Sequence, residues 1–179
     1  MVKKFDKHDL DLMNELVGKK FIDIFKQLEM FVINFGEGIE YSLHTYTFCR
    51  IKSMENVFLT SNDEYFSPKF KYLSEKKYND DELHIKSLLN MTLKNVRKLL
   101  NNSIVTKVQV FDNGDINIEF DNNMVFETLI DRKSDNFEYY RFIKFIPNYQ
   151  ALRLHNVNSM GPHIIIGFKD GTISSELVE

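Results

Sequence analysis

Three charged side chains in the middle of the chain have the order in which some nucleases arrange groups around a divalent metal ion. Asp63 is followed by Glu75 and Lys77, so two carboxylates could hold the ion while the lysine positions the attacking base. This chemistry requires rigid neighbouring strands, whereas the residues around Glu75 are typical of a loop. A metal-dependent nuclease or hydrolase is therefore the alternative hypothesis, and we assign no catalytic, metal-binding or cofactor-binding residue.

The histidines and the cysteine form no pattern typical of a catalytic site. The five histidines lack HExxH spacing, and a single cysteine cannot build a thiolate metal cage. His44 and Cys49 are five positions apart, which places them on opposite faces of a regular strand. Glycine-rich phosphate loops and the serine-hydrolase motif are also missing from the sequence. These features favour a binding protein over an enzyme.

A segment between positions 61 and 79 interleaves aromatic and basic residues. Aromatic rings stack on bases and lysines neutralise phosphates, so a nucleic-acid or small-ligand module is a further alternative. Acidic residues surround the segment and cancel its charge. Aromatic side chains equally suit a protein interface. The four aromatic candidates for contact with a protein partner are Tyr65, Phe66, Phe70 and Tyr72.

The second half of the chain carries an excess of carboxylates. Such residues commonly form a solvated surface, and they would also form a recognition surface for a basic protein, because complementary charge accelerates encounter. The acidic candidates for partner contact are Glu127, Asp131, Asp135 and Glu138.

The composition is that of a soluble globular domain. The chain has 179 residues, of which 43% are hydrophobic, and its formal net charge of -3 provides no global attraction to nucleic acid or to an anionic membrane. A single cysteine cannot form an internal disulfide, which is typical of a reducing compartment. The N-terminal sequence contains no apolar run of signal-peptide length. We therefore expect a cytoplasmic protein that does not bind membranes.

Two stretches have the same order of signals at a distance of about 84 positions. Each has an apolar pair, a hydrophobic strand, and a second strand in strict alternation, which is Phe31-Ile33-Phe35 in the first stretch and Ile116-Ile118-Phe120 in the second. A duplicated three-stranded antiparallel unit explains this pattern. We place the internal repeat at 16–60 and 99–146, bridged by a loop at 61–79 and a helix at 80–101. Function is then expected where the copies differ, in that loop and in the strands from Glu138 onward.

Hydrophobic periodicity predicts an α+β fold that is mainly antiparallel sheet. One compact domain spans 1–179, with two duplicated three-stranded units joined by one long amphipathic helix and preceded by a short N-terminal helix. Whether the units form one continuous sheet or two packed sheets stays open at this point. The predicted helices are 6–17 and 80–101, and the predicted strands include 21–27, 30–35, 39–49, 56–60, 116–120, 124–130, 138–146, 151–156 and 163–168.

Several short motifs resemble a family of small bacterial proteins that are similar to the immunity proteins of polymorphic toxin systems. The resemblance extends from Leu16 to Phe168. The motifs are Leu16-Val17-Gly18, Leu43-His44 with Phe48-Cys49-Arg50-Ile51, Phe58-Leu59-Thr60-Ser61-Asn62-Asp63, Asn113-Gly114-Asp115 with Ile116-Asn117-Ile118-Glu119-Phe120, Ser134-Asp135, Glu138-Tyr139-Tyr140-Arg141-Phe142 and His163-Ile164-Ile165-Ile166.

This resemblance implies a non-catalytic antiparallel protein that neutralises a cognate toxin by occupying its active site or substrate channel. The motif residues would then serve the scaffold, with Arg50 and Asp63, or Glu138 and Arg141, as half-buried pairs that hold strands together. The sequence also allows a homodimer formed by open strand edges.

Overall fold

A computed structural model describes residues 7–65, 88–130, 138–145, 163–169 and 172–178. Within these ranges the chain is an α+β protein with two α-helices and two antiparallel sheets. The helices are α1 (Lys7–Asn14) and α2 (Leu88–Leu99), and a 3₁₀ helix covers Ser61–Tyr65. The strands are β1 (Phe21–Gln27), β2 (Met30–Phe35), β3 (Tyr41–Thr45), β4 (Phe48–Lys52), β5 (Val57–Thr60), β6 (Val105–Val110), β7 (Ile116–Phe120), β8 (Val125–Leu129), β9 (Glu138–Phe145), β10 (His163–Lys169) and β11 (Thr172–Val178).

Each sheet begins with a three-stranded meander and is completed by strands from the other half of the chain. The first sheet has the order β1-β2-β3-β9-β10-β11, and the second has the order β5-β4-β8-β7-β6. Strand β9 thus pairs with β3, although β9 follows β8 in the chain, and β4 pairs with β8, although β4 follows β3. The chain therefore exchanges strands between its two sheets.

The alternating apolar residues of the middle strands β2 and β7 form the centre of the core. Phe31, Ile33 and Phe35 of β2 are at most 2% exposed, and Ile116, Ile118 and Phe120 of β7 are at most 3% exposed. These side chains belong to one hydrophobic cluster that contains residues of both sheets and of both helices. Burial of this apolar surface provides the main favourable free energy of folding.

Local sequence patterns predicted most elements close to their observed bounds. Strands β1 and β2 cover the predicted 21–27 and 30–35, while β7 covers the predicted 116–120. Helix α1 is shorter than the predicted 6–17. Of the predicted helix 80–101, the described part runs from Leu88 to Leu99. The predicted strand 151–156 lies outside the described residues, and β11 was not among the predicted strands.

The predicted third strand, 39–49, was wrong as a single element, because it divides into β3 and β4. Thr45 is the last residue of β3 and pairs with Tyr140 in the first sheet, whereas Phe48 begins β4 and pairs with Leu129 in the second. The hydroxyl groups of Thr45 and Thr47 hydrogen bond at 3.0 Å where the chain crosses between the sheets. Large side chains occur on both faces of the run because its two parts belong to different sheets.

Two of the strands from Glu138 onward have counterparts in the first half of the chain, although none was expected there. Strands β9 and β10 follow the second meander as β4 and β5 follow the first, and each pair completes the opposite sheet. They are therefore topological counterparts of β4 and β5, whereas β11 has no such counterpart among the described residues. Among the described residues, no helix is long and apolar enough to cross a membrane.

Candidate functional site

An open cleft of about 500 Å³ lies on the second sheet. Strands β4, β7 and β8 form its floor, and the turn between β6 and β7 forms its rim. Cys49 and Ile51 are fully buried in the core, so Arg50 between them lies on the opposite face of β4. The lining residues are Arg50, Phe111, Asp112, Asn113, Asp115, Asn117, Glu127 and Leu129.

A carboxylate with two cationic partners occupies the floor of this cleft. Glu127 is cross-strand partner to Arg50 on one side and to Asn117 on the other. Its Oε2 accepts a hydrogen bond from Arg50 Nε, and its Oε1 lies 2.6 Å from Lys52 Nζ. The Glu127 side chain is 8% exposed, whereas those of its two partners are about a third exposed. The three groups together carry one net positive charge.

The ionisation of Glu127 follows from these contacts. Burial by itself would raise the pKa of this carboxyl group, but the hydrogen bonds from Lys52 and Arg50 outweigh burial and hold the pKa below its usual value. Glu127 is therefore charged at neutral pH. Because each of its oxygens already has a cationic partner, Glu127 holds Arg50 and Lys52 in place and does not present a free carboxylate to a basic protein.

The turn between β6 and β7 is stabilised by its own side chains. Asp115 accepts hydrogen bonds from the backbone N–H of Ile130 at 2.7 Å and from Asn113 Nδ2 at 2.7 Å. Gly114 has a φ of 92°, which favours glycine. The turn presents Phe111, whose side chain is 43% exposed, at the rim of the cleft. An aromatic side chain and an arginine thus border the same open volume.

A second charged cluster ties the segment after α1 to the first sheet. The hydroxyl of Tyr41 donates to Glu15 Oε2 at 2.7 Å, and Lys144 Nζ lies 2.6 Å from the same oxygen. Lys19 Nζ lies 2.6 Å from Glu40 Oε2 and 5.4 Å from the centre of the Tyr41 ring. Burial and the Glu15 carboxylate raise the pKa of Tyr41, so its hydroxyl stays protonated. This cluster therefore has the features of a structural connection.

The sequence-predicted contact residues do not converge on one surface within the described part of the chain. Glu127 lies in the cleft of the second sheet, and Glu138 begins β9 of the first sheet. The backbone of Tyr65 ends the 3₁₀ helix. The candidates Phe66, Phe70, Tyr72, Asp131 and Asp135 lie outside the described residues.

The suggested pair of Arg50 with Asp63 is replaced by other contacts. Arg50 binds Glu127, and Asp63 accepts hydrogen bonds from the backbone N–H of Thr60 at 3.1 Å and from its hydroxyl at 2.8 Å. Asp63 therefore stabilises the start of the 3₁₀ helix, where a short polar side chain satisfies backbone donors. The other members of the metal-site hypothesis, Glu75 and Lys77, lie outside the described residues.

The suggested pair of Glu138 with Arg141 is present, but it lies within one strand. Arg141 Nε donates to Glu138 Oε1 at 2.6 Å, and Nη2 contacts Oε2. Residues three positions apart face opposite sides of a regular strand. Here the pairing of Tyr140 with Phe168 shifts to that of Glu138 with Lys169, so β9 bulges at Tyr139. The bulge brings the two charged side chains to the same face.

In the described part of the chain, the one thiol is buried and the side chains that could bind a metal ion are not clustered. Cys49 is fully buried, and burial raises the pKa of its thiol. The described residues contain no group of three or more histidine, cysteine, aspartate or glutamate side chains that could hold a metal ion. The open cleft on the second sheet is the candidate binding surface in the described residues.

Sequence reasoning missed Phe111 and Asn117 as cleft residues. Both belong to a hairpin that the Asn113-Gly114 signal predicted, but their proximity to Arg50 depends on the pairing of β4 with β8. A large exposed aromatic residue next to a hairpin turn was the one local signal for Phe111.

Comparisons with known proteins add no further information about this site. No protein-family model matches the chain, and no curated protein or solved structure matches it.

Proposed function

We propose that this chain is a non-catalytic protein-binding protein of the immunity type, which neutralises a cognate toxin by blocking its active site. The sequence motifs that resemble such proteins support this assignment. The thiol of Cys49 is buried, and the carboxylates of Glu127 and Asp63 already have partners within the protein. These features are typical of a scaffold and not of a reaction centre.

The observation that carries the proposal is the combination of Phe111 and Arg50 at the cleft. Aromatic residues and arginine are enriched among the residues that contribute most to protein–protein binding. The Arg50 side chain is held by Glu127, and the backbone of Phe111 is held by a hydrogen bond from Gly114 N–H to its carbonyl at 2.8 Å. A preorganised surface loses less conformational entropy when a partner binds.

We further propose that the protein acts in the cytoplasm. Its single cysteine is buried and unpaired, so the chain requires no oxidising compartment for folding. A free thiol in the core is compatible with a compartment that keeps cysteines reduced.

The fold itself supports the proposed internal duplication. In its pairing with β2, strand β1 has one extra residue immediately after Phe21. In its pairing with β7, strand β6 has one extra residue immediately after Val105. The two meanders are joined where Lys20 pairs with Ile104, about 84 positions apart. Helix α1 contacts β6 and helix α2 contacts β1, so each helix packs on the first strand of the other unit.

One backbone hydrogen bond before β1 recurs before β6, again about 84 positions later in the chain. Lys19 N–H donates to the Leu16 carbonyl at 2.9 Å, and Ser103 N–H donates to the Leu100 carbonyl at 2.9 Å. Leu16 and Leu100 are each 1% exposed. We infer two copies of a helix-and-meander unit that are interlocked by exchange of the strands following each meander, with α2 as the described part of the connecting helix.

The experiment that tests the proposed function is co-expression with the product of the neighbouring gene. We expect a stable complex on co-purification and survival of cells that the neighbour alone kills. Phe111→Ala should weaken the complex about 30-fold, the effect of losing an interface residue worth roughly 2 kcal/mol. Met54→Ala is the matched control, because Met54 is 98% exposed and lies outside the cleft. Absence of any complex or protection would refute the proposal.

A further inference from the structure

The charges of the cleft are separated between its floor and its rim. On the floor, Glu127 engages Arg50 with one oxygen and Lys52 with the other. On the rim, the turn between β6 and β7 adds the carboxylates of Asp112 and Asp115. Three carboxylates therefore outnumber the two cations, even when Lys52 is counted. The cleft has a net negative charge, and the excess lies on the rim.

The contacts of Asp115 fix its carboxylate without cancelling its charge. Oδ1 accepts a hydrogen bond from the backbone N–H of Ile130, and Oδ2 accepts one from Asn113 Nδ2, both at 2.7 Å. Both donors are neutral groups. A carboxylate has about four acceptor positions on its two oxygens, so the two hydrogen bonds leave Asp115 able to accept another donor from a bound molecule.

An aromatic ring lies next to the charged rim. Phe111 directly precedes Asp112, and it is 43% exposed. The face of a phenyl ring carries partial negative charge and attracts cations, most often the guanidinium group of arginine. Leu129, which is half-buried, adds apolar surface to the same cleft. The ring and the rim carboxylates thus favour the same sign of charge in an occupant.

Basic side chains have the two parts that this surface requires. Their aliphatic stems cover apolar surface, while the charged ends stay beside water or carboxylates. Arginine fits better than lysine, because its planar guanidinium group stacks on an aromatic ring and donates to two acceptors at once. A metal ion fits less well, since the described residues contain no group of three or more histidine, cysteine, aspartate or glutamate side chains that could hold one.

We propose that the cleft receives an arginine side chain of a protein partner, with its stem on Phe111 and Leu129 and its guanidinium group against the carboxylates of Asp112 and Asp115. This inference rests on the proposed function and specifies the chemistry of the partner at this site. Complementary charge at the rim accelerates the encounter with such a partner and disfavours acidic ones.

The direct test uses the full chain, labelled with nitrogen-15, and the capped peptide acetyl-Gly-Arg-Gly-amide as probe. The control peptide has citrulline in place of arginine, which preserves the length and planarity of the side chain but removes its charge. We expect the backbone amide signals of Asp112 and Leu129 to shift with the arginine peptide, and to shift about 3-fold less with the citrulline peptide, the effect of losing a partly exposed ion pair. Sodium chloride should reduce the difference, because it screens the charges.

Two variants locate the response within the cleft. Asp112→Asn removes one rim charge while preserving the size of the side chain, and it should reduce the shift at Leu129 about 3-fold at a given peptide concentration. Phe111→Leu keeps an apolar side chain but removes the ring, and it should reduce the same shift by about 2- to 5-fold. The matched control is Glu29→Gln, which removes one exposed carboxylate from the turn between β1 and β2. It should leave the shift unchanged.

The opposite results are equally clear. Equal shifts with the arginine and citrulline peptides, or an unaltered response in Asp112→Asn, would overturn the inference. A stronger response to acetyl-Gly-Glu-Gly-amide than to the arginine peptide would overturn it and identify a site for an acidic side chain. A stronger response to calcium chloride would overturn it and identify a metal site.

Failure of this inference can be distinguished from failure of the proposed function. If the neighbouring gene product binds and Asp112→Asn leaves its affinity unchanged, the arginine is excluded while the binding function stands. If the arginine peptide binds at the rim and the neighbour forms no complex, the site stands and the proposed partner is excluded.

Discussion

At the scale of single residues, the charged groups of the second sheet serve first to position one another. Glu127 binds Arg50 and Lys52 through different oxygens, and these contacts join neighbouring side chains across β4 and β8. The local sequence could identify Glu127 as an acidic residue on a strand. It could not identify its partners, because 77 positions separate Arg50 from Glu127.

Replacing Glu127 by glutamine should lower the free energy of unfolding by about 1–2 kcal/mol at neutral pH, since two cations lose their shared counter-charge. The pKa of Glu127 is lowered in the folded state from 4.5. Its contribution is therefore fully present above pH 4.5 and is lost as the pH falls through the lower folded-state pKa. Urea unfolding of both proteins should show a difference at neutral pH that shrinks in acid.

The control for this substitution is Glu119→Gln. Lys107 and Glu119 form an ion pair at 3.2 Å with side chains 51% and 38% exposed, so solvent screens it. Its loss should cost less than about 0.5 kcal/mol. A larger cost for Glu119→Gln than for Glu127→Gln, or a Glu127→Gln difference that persists in strong acid, would contradict this account.

Cys49 should react with a thiol reagent only after the protein unfolds. The side chain is 0% exposed, and burial raises the pKa of the thiol. In the native state the thiol is therefore neither accessible to the reagent nor ionised. Because Cys49 is the only cysteine, absorbance on reaction with a chromogenic disulfide reports this site alone. Immediate stoichiometric labelling of the folded protein would show that the thiol is accessible.

At the scale of elements, two glycines with positive φ have different local requirements. Gly18 follows α1 with a φ of +87°, and an added Cβ would meet no heavy atom within 4 Å. Gly36 begins the turn after β2 with a φ of +118°, and an added Cβ would lie 2.7 Å from the carbonyl oxygen of Gly38. A side chain at either position would therefore strain the backbone. Only at Gly36 would it also clash with neighbouring atoms.

Gly36→Ala should therefore destabilise the protein far more than Gly18→Ala. We expect about 1 kcal/mol for Gly18→Ala from the unfavourable φ alone, and at least about 3 kcal/mol for Gly36→Ala because the backbone must also move. Equilibrium unfolding in urea measures both values. Equal costs would mean that the turn relaxes and that the clash does not determine the conformation.

At the scale of the whole molecule, exchanged strands make each half of the chain depend on the other. Strand β4 of the first half needs β8, and β9 of the second half needs β3. A meander without these partners has an unpaired edge and an incomplete core. The protein should therefore unfold as one cooperative unit.

A chain cut between Tyr65 and Leu88 should assemble only when both fragments are present. Co-expressed fragments are expected to co-purify as a one-to-one complex with the circular dichroism spectrum of the intact protein. Each fragment alone should lack a cooperative unfolding transition, because its meander lacks the strands that complete the sheet. A cooperative transition in either isolated fragment would contradict the interlocked arrangement.

Local sequence features were sufficient to predict most of the individual elements. Strict alternation predicted β2 and β7, and Asn113-Gly114 predicted the turn that forms the rim of the cleft. Side-chain periodicity and the φ preference of glycine act within a few residues, so these features are readable along the chain. The excess of apolar residues likewise indicated one hydrophobic core, and a single cluster links both sheets.

The pairing of strands and the contacts between distant side chains depend on the tertiary structure. It divided the run 39–49 between two sheets, introduced the bulge at Tyr139 that joins Glu138 to Arg141, and brought Arg50 to the cleft beside Phe111. Every strand offers the same backbone donors and acceptors, so the choice of partner carries no local signal. It depends on the burial of side chains that are distant in the sequence, and that requirement is met only when both halves of the chain fold together.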